Sequence, residues 1–308
     1  MKHIRLLITE KCNAKCPNCF NSSYRKSKEM TLQEIEKLSL YFSSNGVSTV
    51  FVEGGEPTIH SSFNKAMTIL QDRFERVVLF SNAMSEAIHS FNPRSNDSIV
   101  YNFNFISDSF DTERFLQNRP GKRSVMIQIA VGTNIQQLIN RIHVFDSLFE
   151  KDRLSLLLTL DCTVDIFKNA KILANKWNQF LAACIINKWN VKIDHGFPLC
   201  IKEQYQCMMI EVYQCKVSDV SNKKGLYWCD HNRAGLVDAH FNLRYCNNYY
   251  SDLVPIMNGD EFLSIDSIEH FLIEAQAHKD SKLPARCINC SSFLNGSCNA
   301  TCFGCRQF

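Results

Sequence analysis

The run Ile4-Arg5-Leu6-Leu7-Ile8-Thr9 leads into Cys12-Asn13-Ala14-Lys15-Cys16-Pro17-Asn18-Cys19-Phe20, a β-rich stretch followed at once by a Cys-x3-Cys-x2-Cys loop. Three thiolates this close cannot close a tetrahedral site alone. A structural zinc ion takes four ligands, usually as two separated pairs, whereas a [4Fe-4S] cluster with three protein ligands leaves one iron open for chemistry. A zinc site completed by His3 or by a distant cysteine is the alternative reading of the same residues.

Outward from that loop, short β-rich runs alternate with longer helical patterns up to about Cys200. Thr31 with Glu34 forms a capping-box pattern and opens a helix running to about Ser44, before Asn45-Gly46. Val47 to Glu53 is the next strand, broken by Gly54-Gly55-Glu56-Pro57-Thr58; a helix over Ser62 to Phe74 and a strand over Val77 to Phe80 follow, ending at Ser81-Asn82. Further strands read at Val100 to Ile106, Val125 to Val131, Leu154 to Leu160 and Val191 to Asp194, with helices at Thr112 to Gln117, Ile135 to Phe149 and Ile166 to Trp189. This rhythm predicts an α/β fold with a parallel sheet, a partial (β/α)6 TIM-like barrel whose chemistry sits at the C-terminal ends of the strands. The rhythm stops after Pro198, and a cysteine-rich remainder follows. The expected domains are therefore a core over 1–200 and a cysteine-rich domain over 201–308.

Composition narrows the function classes. The chain has 308 residues, 45% of them apolar, which suffices for a sizeable core. Gly and Pro total 18 and charged residues make up 21%, so disorder is excluded. No apolar run approaches the roughly 18 to 20 residues of a membrane-spanning helix. A formal charge of +3 is too balanced to argue for a nucleic-acid or anionic-membrane surface. Fifteen cysteines, an odd number clustered at the two ends of a chain that lacks a signal-peptide pattern, favour reduced metal-binding thiolates over a secreted disulfide scaffold.

The Cys12 to Phe20 array, at its place after the first strand, resembles the signature of the radical S-adenosylmethionine (SAM) superfamily, and Gly54-Gly55-Glu56-Pro57, about 35 residues on, resembles that superfamily's Gly-Gly-Glu-Pro motif. Ser81-Asn82 is similar to the family's Thr-Asn-Gly on the third strand, with Ala83 in place of the glycine. The residue before the last cysteine, often aromatic, is Asn18 here, with Phe20 just after. The resemblance implies that Cys12, Cys16 and Cys19 hold a [4Fe-4S] cluster whose open iron chelates SAM. It also implies that the backbone at Gly54, Gly55, Glu56 and Pro57 meets the methionine amino group, and that Ser81 and Asn82 lie beside the ribose. Asn104 and Gln128, on middle strands, are candidates to reach SAM as well. In the family, one electron from the reduced cluster breaks SAM into methionine and a 5′-deoxyadenosyl radical, which abstracts a substrate hydrogen.

The tail, Cys229-x16-Cys246 and then Cys287-x2-Cys290-x7-Cys298-x3-Cys302-x2-Cys305, resembles the SPASM extension of radical SAM enzymes, which binds two auxiliary [4Fe-4S] clusters. Phe241 stands where a glycine is usual, the x7 spacer is usually x5, and the last cysteine follows closely. The resemblance implies Cys229, Cys246 and Cys302, with Cys215 preferred to Cys207 as fourth ligand, for one cluster, and Cys287, Cys290, Cys298 and Cys305 for the other. The shorter twitch variant would use Cys229, Cys246, Cys287 and Cys290 for a single cluster, and a zinc ribbon from Cys287-x2-Cys290 and Cys302-x2-Cys305 is a third reading. Cys162 and Cys184 sit in apolar surroundings and read as core. Asp194, His195 and Cys200, at the end of the last barrel strand, are candidate acid/base, positioning or hydrogen-donor groups, although a strand-end Asp-His-Gly is commonly a turn.

The reaction expected from this resemblance is hydrogen abstraction from a peptide or protein, by an oxidoreductase that matures ribosomal peptides through a cross-link, an epimer or an oxidised side chain. The alternative is a dehydrogenase or epimerase of a sugar, aminocyclitol or other metabolite, and a non-catalytic iron-sulfur or zinc protein is a third class. The core begins a dozen residues from Met1, so no leader-peptide recognition domain is expected ahead of it. The resemblance implies a flavodoxin- or ferredoxin-type electron donor, and reduced thiolates with oxygen-labile clusters imply a cytoplasmic setting at low oxygen tension. Anaerobic reconstitution is expected to give about twelve irons per chain for three clusters, falling to about eight when Cys12, Cys16 and Cys19 are replaced by Ala. Zinc in place of tail iron would leave only the first cluster standing.

Overall fold

The structure is a computed structural model of the whole chain. It describes residues 1–16, 19, 27–102, 122–147, 154–161, 164–195, 197, 199–207, 218–219, 235–245, 253–280 and 285–294. The chain divides into two compact units, Met1–Arg123 with Asp230–Lys279, and Ser124–Cys229 with Asp280–Phe308.

In the first unit, β1 (His3–Thr9), β2 (Thr49–Gly54), β3 (Arg76–Ser81) and β4 (Ser98–Asn102) pair in sequence order, all parallel. Alternation along these strands decides what each face carries. Ile4, Leu6 and Ile8 share a face with Val50, Val52, Val77 and Leu79, all fully buried. The opposite face carries Arg5 paired with Glu53 (Nε to Oε1 2.8 Å), with Phe51 packed edge-on against His3 at 5.6 Å and tilted against Phe80 at 6.3 Å. Helix α1 (Leu32–Ser44) starts at the expected capping box, with Glu34 N–H donating to Thr31 Oγ1 and Thr31 N–H to Glu34 Oε2. It buries Ile35, Leu38 and Phe42 at helical spacing, and Gly46 at φ +81° turns the chain beyond it. Helix α2 (Phe63–Arg73) buries Phe63, Ala66, Met67 and Leu70 and packs with α1.

The cysteine-rich remainder, in which the sequence shows no strand rhythm, adds short strands to this sheet. Leu236–Val237 (β9) pairs parallel with β1, Asn242–Arg244 (β10) returns antiparallel to β9, and Val254–Pro255 (β11) follows β10, so the order is β11-β10-β9-β1-β2-β3-β4. These strands of two or three residues are too short to show a period in sequence. They nevertheless cover the open edge of β1. Phe241, where the resemblance expected glycine, holds φ +61° in the turn between β9 and β10, and its N–H donates to Asp238 O. Beyond Glu261–Phe262, helix α6 (Ile265–Asp280) closes the unit, and Tyr41 of α1 stacks on Phe262 at 4.4 Å.

The second unit contains β5 (Lys122–Ile129) from Ser124 onward, then β6 (Leu154–Leu160), β7 (Val191–His195) and β8 (Ser218–Asp219) in that order, with β6, β7 and β8 parallel. Helices α3 (Ile135–Ser147) and α4 (Ala170–Ile186) pack together, α4 burying Leu173, Trp177, Phe180, Leu181 and Cys184, and the six-residue α5 (Leu199–Gln204) follows β7. The α/β reading with parallel strands is borne out. The expected helix at Thr112 to Gln117 lies outside the described residues. Among the described residues, no helix is long and apolar enough to cross a membrane.

Asp97, fully buried ahead of β4, ties α2 to β3: it accepts from Gln71 Nε2 and Val77 N–H, both at 2.8 Å, and from the Arg94 backbone and guanidinium. Burial pushes its carboxyl up, but the donations from Arg94, Gln71 and Val77 outweigh this and hold it below the ordinary 3.8. A carboxyl depressed on folding stabilises above its unfolded pKa and loses that contribution as pH falls through the folded value. Asp97→Asn is expected to cost about 2 kcal/mol at pH 7 and to flatten the acid limb of stability below pH 3.8, read by urea unfolding across pH.

Candidate active site

The cysteine loop leaves β1 through a closed neck. Glu10 N–H donates to Lys28 O at 2.8 Å, Met30 N–H to Ile8 O at 2.9 Å, Thr9 bridges Glu29 antiparallel, and Lys11 Nζ meets the Glu29 carboxylate at 3.2 Å. Within the loop, Cys19 N–H donates to Cys16 O at 3.3 Å, and Ala14 N–H donates to Cys12 Sγ at 3.4 Å. His60 secures the neck from below. Its Nδ1 accepts from Ser62 N–H at 3.0 Å, so the ring proton sits on Nε2 and is donated to Met30 O at 2.7 Å.

The end of β2 presses onto the root of this loop. Gly55 N–H donates to Thr9 O and Glu56 N–H to Lys11 O, both at 2.8 Å. A Cβ on Gly54 would stand 2.3 Å from Thr9 O, and one on Gly55 would stand 2.1 Å from Lys11 O and 2.7 Å from Glu10 O. The two glycines are thus required by the backbone of the cysteine loop itself, a reason different from close approach to a ligand.

Glu56 is 1% exposed and caps the short turn Pro57–Ile59. Its Oε1 accepts from Thr58 Oγ1 at 2.6 Å, Ser81 Oγ at 2.8 Å and Thr58 N–H at 3.1 Å, and its Oε2 accepts from Asn82 N–H at 2.7 Å. Burial pushes the carboxyl above its ordinary range against these donations. The side chain binds the ends of β2 and β3 together. Asn82, also buried, receives Met84 N–H on Oδ1 at 3.0 Å, and its Nδ2 donates to Asn13 Oδ1 at 2.9 Å while standing 4.0 Å from Cys12 Sγ. Ala83, where the resemblance expected glycine, holds φ +58°, a left-handed backbone that glycine adopts at no steric cost.

Cys12, Gly54, Gly55, Glu56, Pro57, Ser81 and Asn82 are therefore brought together at the C-terminal ends of β1, β2 and β3. Gln128 lies half-buried on β5 of the second unit, Asp194 and His195 end β7 there, and Cys200 is exposed on α5. In the same unit, buried Cys287 and half-buried Cys290 flank one turn, with Cys290 N–H donating to Cys287 O at 3.2 Å. Asn104, Cys215, Cys229, Cys246, Cys298, Cys302 and Cys305 lie outside the described residues. Sequence reading missed His60, Asn13 and the pair of Glu10 with His240 of the β9–β10 turn, 3.2 Å apart; only Asn13, inside the motif, carried a signal.

Among the described residues, no three His, Cys, Asp or Glu side chains are gathered tightly enough for a metal ion. The fit of Cys12, Cys16 and Cys19 to an iron-sulfur cluster rests on the donor set, three thiols in one braced loop, and on the N–H donated to Cys12 Sγ.

Gly55→Ala is expected to lose about 3 kcal/mol, because backbone atoms cannot yield as a flexible side chain could. Ala83→Gly is expected to stay within about 1 kcal/mol of wild type, relief of the left-handed strain offsetting the added unfolded-state entropy. Urea unfolding of both variants checks the contrast.

Residues 6–125 match the family model of the Radical SAM superfamily. GTP 3′,8-cyclase of Haemophilus ducreyi is 31% identical over 121 residues, covering 37% of this chain and 34% of that protein. The molybdenum cofactor biosynthesis protein moc-5 of Caenorhabditis elegans is 28% identical over 119 residues, covering 37% of this chain and 20% of that protein. The matched part is thus about a third or less of those relatives' length. The crystal structure of Streptococcus suis SuiB bound to S-adenosylmethionine is similar in fold, with a TM-score of 0.65 at 12% identity over 98% of this chain and 73% of that one. Native anSMEcpe with bound AdoMet and Kp18Cys peptide gives 0.62 at 17% identity, over 97% of this chain and 88% of that one. The strand-end site and these likenesses agree, and the chain carries a radical SAM superfamily domain over residues 6–125.

Proposed function

We propose that Cys12, Cys16 and Cys19 hold a [4Fe-4S] cluster, and that this radical SAM enzyme abstracts a hydrogen from a peptide or protein substrate. The observation that carries the reading is the bracing of the root of the three-cysteine loop by the Gly54 to Pro57 turn, whose Glu56 side chain is buried between the ends of β2 and β3. Bound cluster and SAM together supply the reductive cleavage that yields methionine and a 5′-deoxyadenosyl radical. The chain's own residues hold the three thiols in place, shape the turn at Gly54 to Pro57 for the methionine end of SAM, and keep Ser81 and Asn82 beside the nucleoside. Gln128 would add a further SAM contact. Asp194, His195 and Cys200 would position the substrate or return a proton or hydrogen. The tail cysteines would carry one or two auxiliary clusters, and a flavodoxin- or ferredoxin-type protein would supply electrons.

Peptide is favoured because likeness over 98% of the chain is to SuiB, a structure of which is bound to precursor peptide SuiA, and likeness over 97% is to the peptide-bound anSMEcpe. The cyclase likeness covers only 37% of the chain. It nevertheless supports a second reading, a small-metabolite reaction on a nucleotide or sugar.

Reduced, reconstituted protein is expected to form 5′-deoxyadenosine from SAM, and the triple replacement of Cys12, Cys16 and Cys19 by Ala to fall to the protein-free background. Undiminished 5′-deoxyadenosine in that variant would overturn the reading. A deuterated peptide extract is expected to place deuterium in the 5′-deoxyadenosine; deuterium transferred from deuterated GTP instead would overturn the peptide assignment.

A further inference from the structure

We infer that Asn82 is a positioning residue for Cys12, and that its amide and Asn13 together set the reduction potential of the cluster Cys12 helps to hold. This rests on the proposed role of Cys12, Cys16 and Cys19. Asn82 stands at the end of β3, with its backbone N–H on the Glu56 carboxylate at 2.7 Å. The side chain has one orientation that satisfies its neighbours. Met84 N–H needs an acceptor and takes Oδ1 at 3.0 Å, so Nδ2 must face the cysteine loop. There it donates to Asn13 Oδ1 at 2.9 Å and lies 4.0 Å from Cys12 Sγ, the sulfur that also receives Ala14 N–H at 3.4 Å. Asn82 is only 6% exposed, so these donations are made away from water and keep more of their strength.

The consequence is electronic as well as geometric. Donors aimed at a ligating thiolate draw charge from it and favour the reduced, more negative cluster, so they raise the potential. Asn13 supports the arrangement from within the loop: by accepting from Nδ2, it holds the amide over Cys12 and ties the loop to β3. The same residue thus links the Glu56 bracket, through its backbone N–H, to the first of the three cysteines, through its side chain, a connection between motifs that are far apart in sequence.

The test is an EPR-monitored redox titration of the cluster signal that disappears when Cys12, Cys16 and Cys19 are replaced by Ala. Asn82→Asp keeps the shape and the acceptor for Met84 N–H but turns an oxygen toward Asn13 and Cys12. It is expected to lower the ratio of reduced to oxidised cluster about tenfold at fixed potential, a shift of about 59 mV, with altered g-values and undiminished iron. Asn82→Ser retains an acceptor and loses the reach to Cys12, so a smaller shift in the same direction is expected; it also serves if the Asp variant does not fold. Wild-type potential and g-values in a folded, iron-loaded variant would overturn the inference while leaving the cluster assignment intact. Retention of the whole iron complement by the triple Cys variant would instead remove the cluster assignment, and this inference with it.

Discussion

A single buried carboxylate holds the site together. Glu56, 1% exposed, takes four hydrogen bonds from Thr58, Ser81 and Asn82 and so welds the end of β2 to the end of β3. Removing a carboxylate from water is costly, and burial raises its pKa; four converging donors offset that cost. The cysteine loop then depends on this weld, because its root at Thr9 and Lys11 hydrogen-bonds to Gly55 and Glu56. The root of the cysteine loop and the strand-end architecture are held by the same few atoms.

Close backbone approach is the second constraint. Gly54 and Gly55 lie where any side chain would strike the carbonyls of Thr9 and Lys11. At Ala83 and Phe241 the chain tolerates the opposite situation, holding left-handed backbone at φ +58° and +61° without glycine. Strain of this kind, about 1 to 2 kcal/mol at each residue, persists only where neighbours over-determine the conformation. Ser81 Oγ on Ala83 N–H and Asp238 Oδ1 on His240 and Asn242 N–H provide that determination.

Much of this site was legible in sequence because its residues are chemically unusual. Three cysteines in a short loop, two glycines before Glu56-Pro57 and a Ser-Asn at the next strand end each fall at the end of a clearly β-rich run, and together they form one pattern. The capping box at Thr31 was equally plain, since both halves of it are side chains of known preference. What escaped was set by tertiary contact. The β9–β10 hairpin consists of strands of two and three residues whose only distinction is pairing beside β1. His60 carries no motif, and its role appears only when Met30 and Ser62 converge on its ring. Ala83 reads as a weakened motif, yet its backbone is left-handed, the conformation that favours glycine. Local sequence encodes chemistry and periodicity well, and it encodes contacts across long loops poorly.

The central claim is that the three-cysteine loop presents an iron with an open position to SAM. The most direct measurement is the EPR spectrum of the reduced, iron-loaded protein before and after addition of SAM. The account predicts that SAM changes the g-values of one cluster signal, because it enters the coordination sphere of that iron. A reduced cluster whose spectrum is the same with saturating SAM would contradict it.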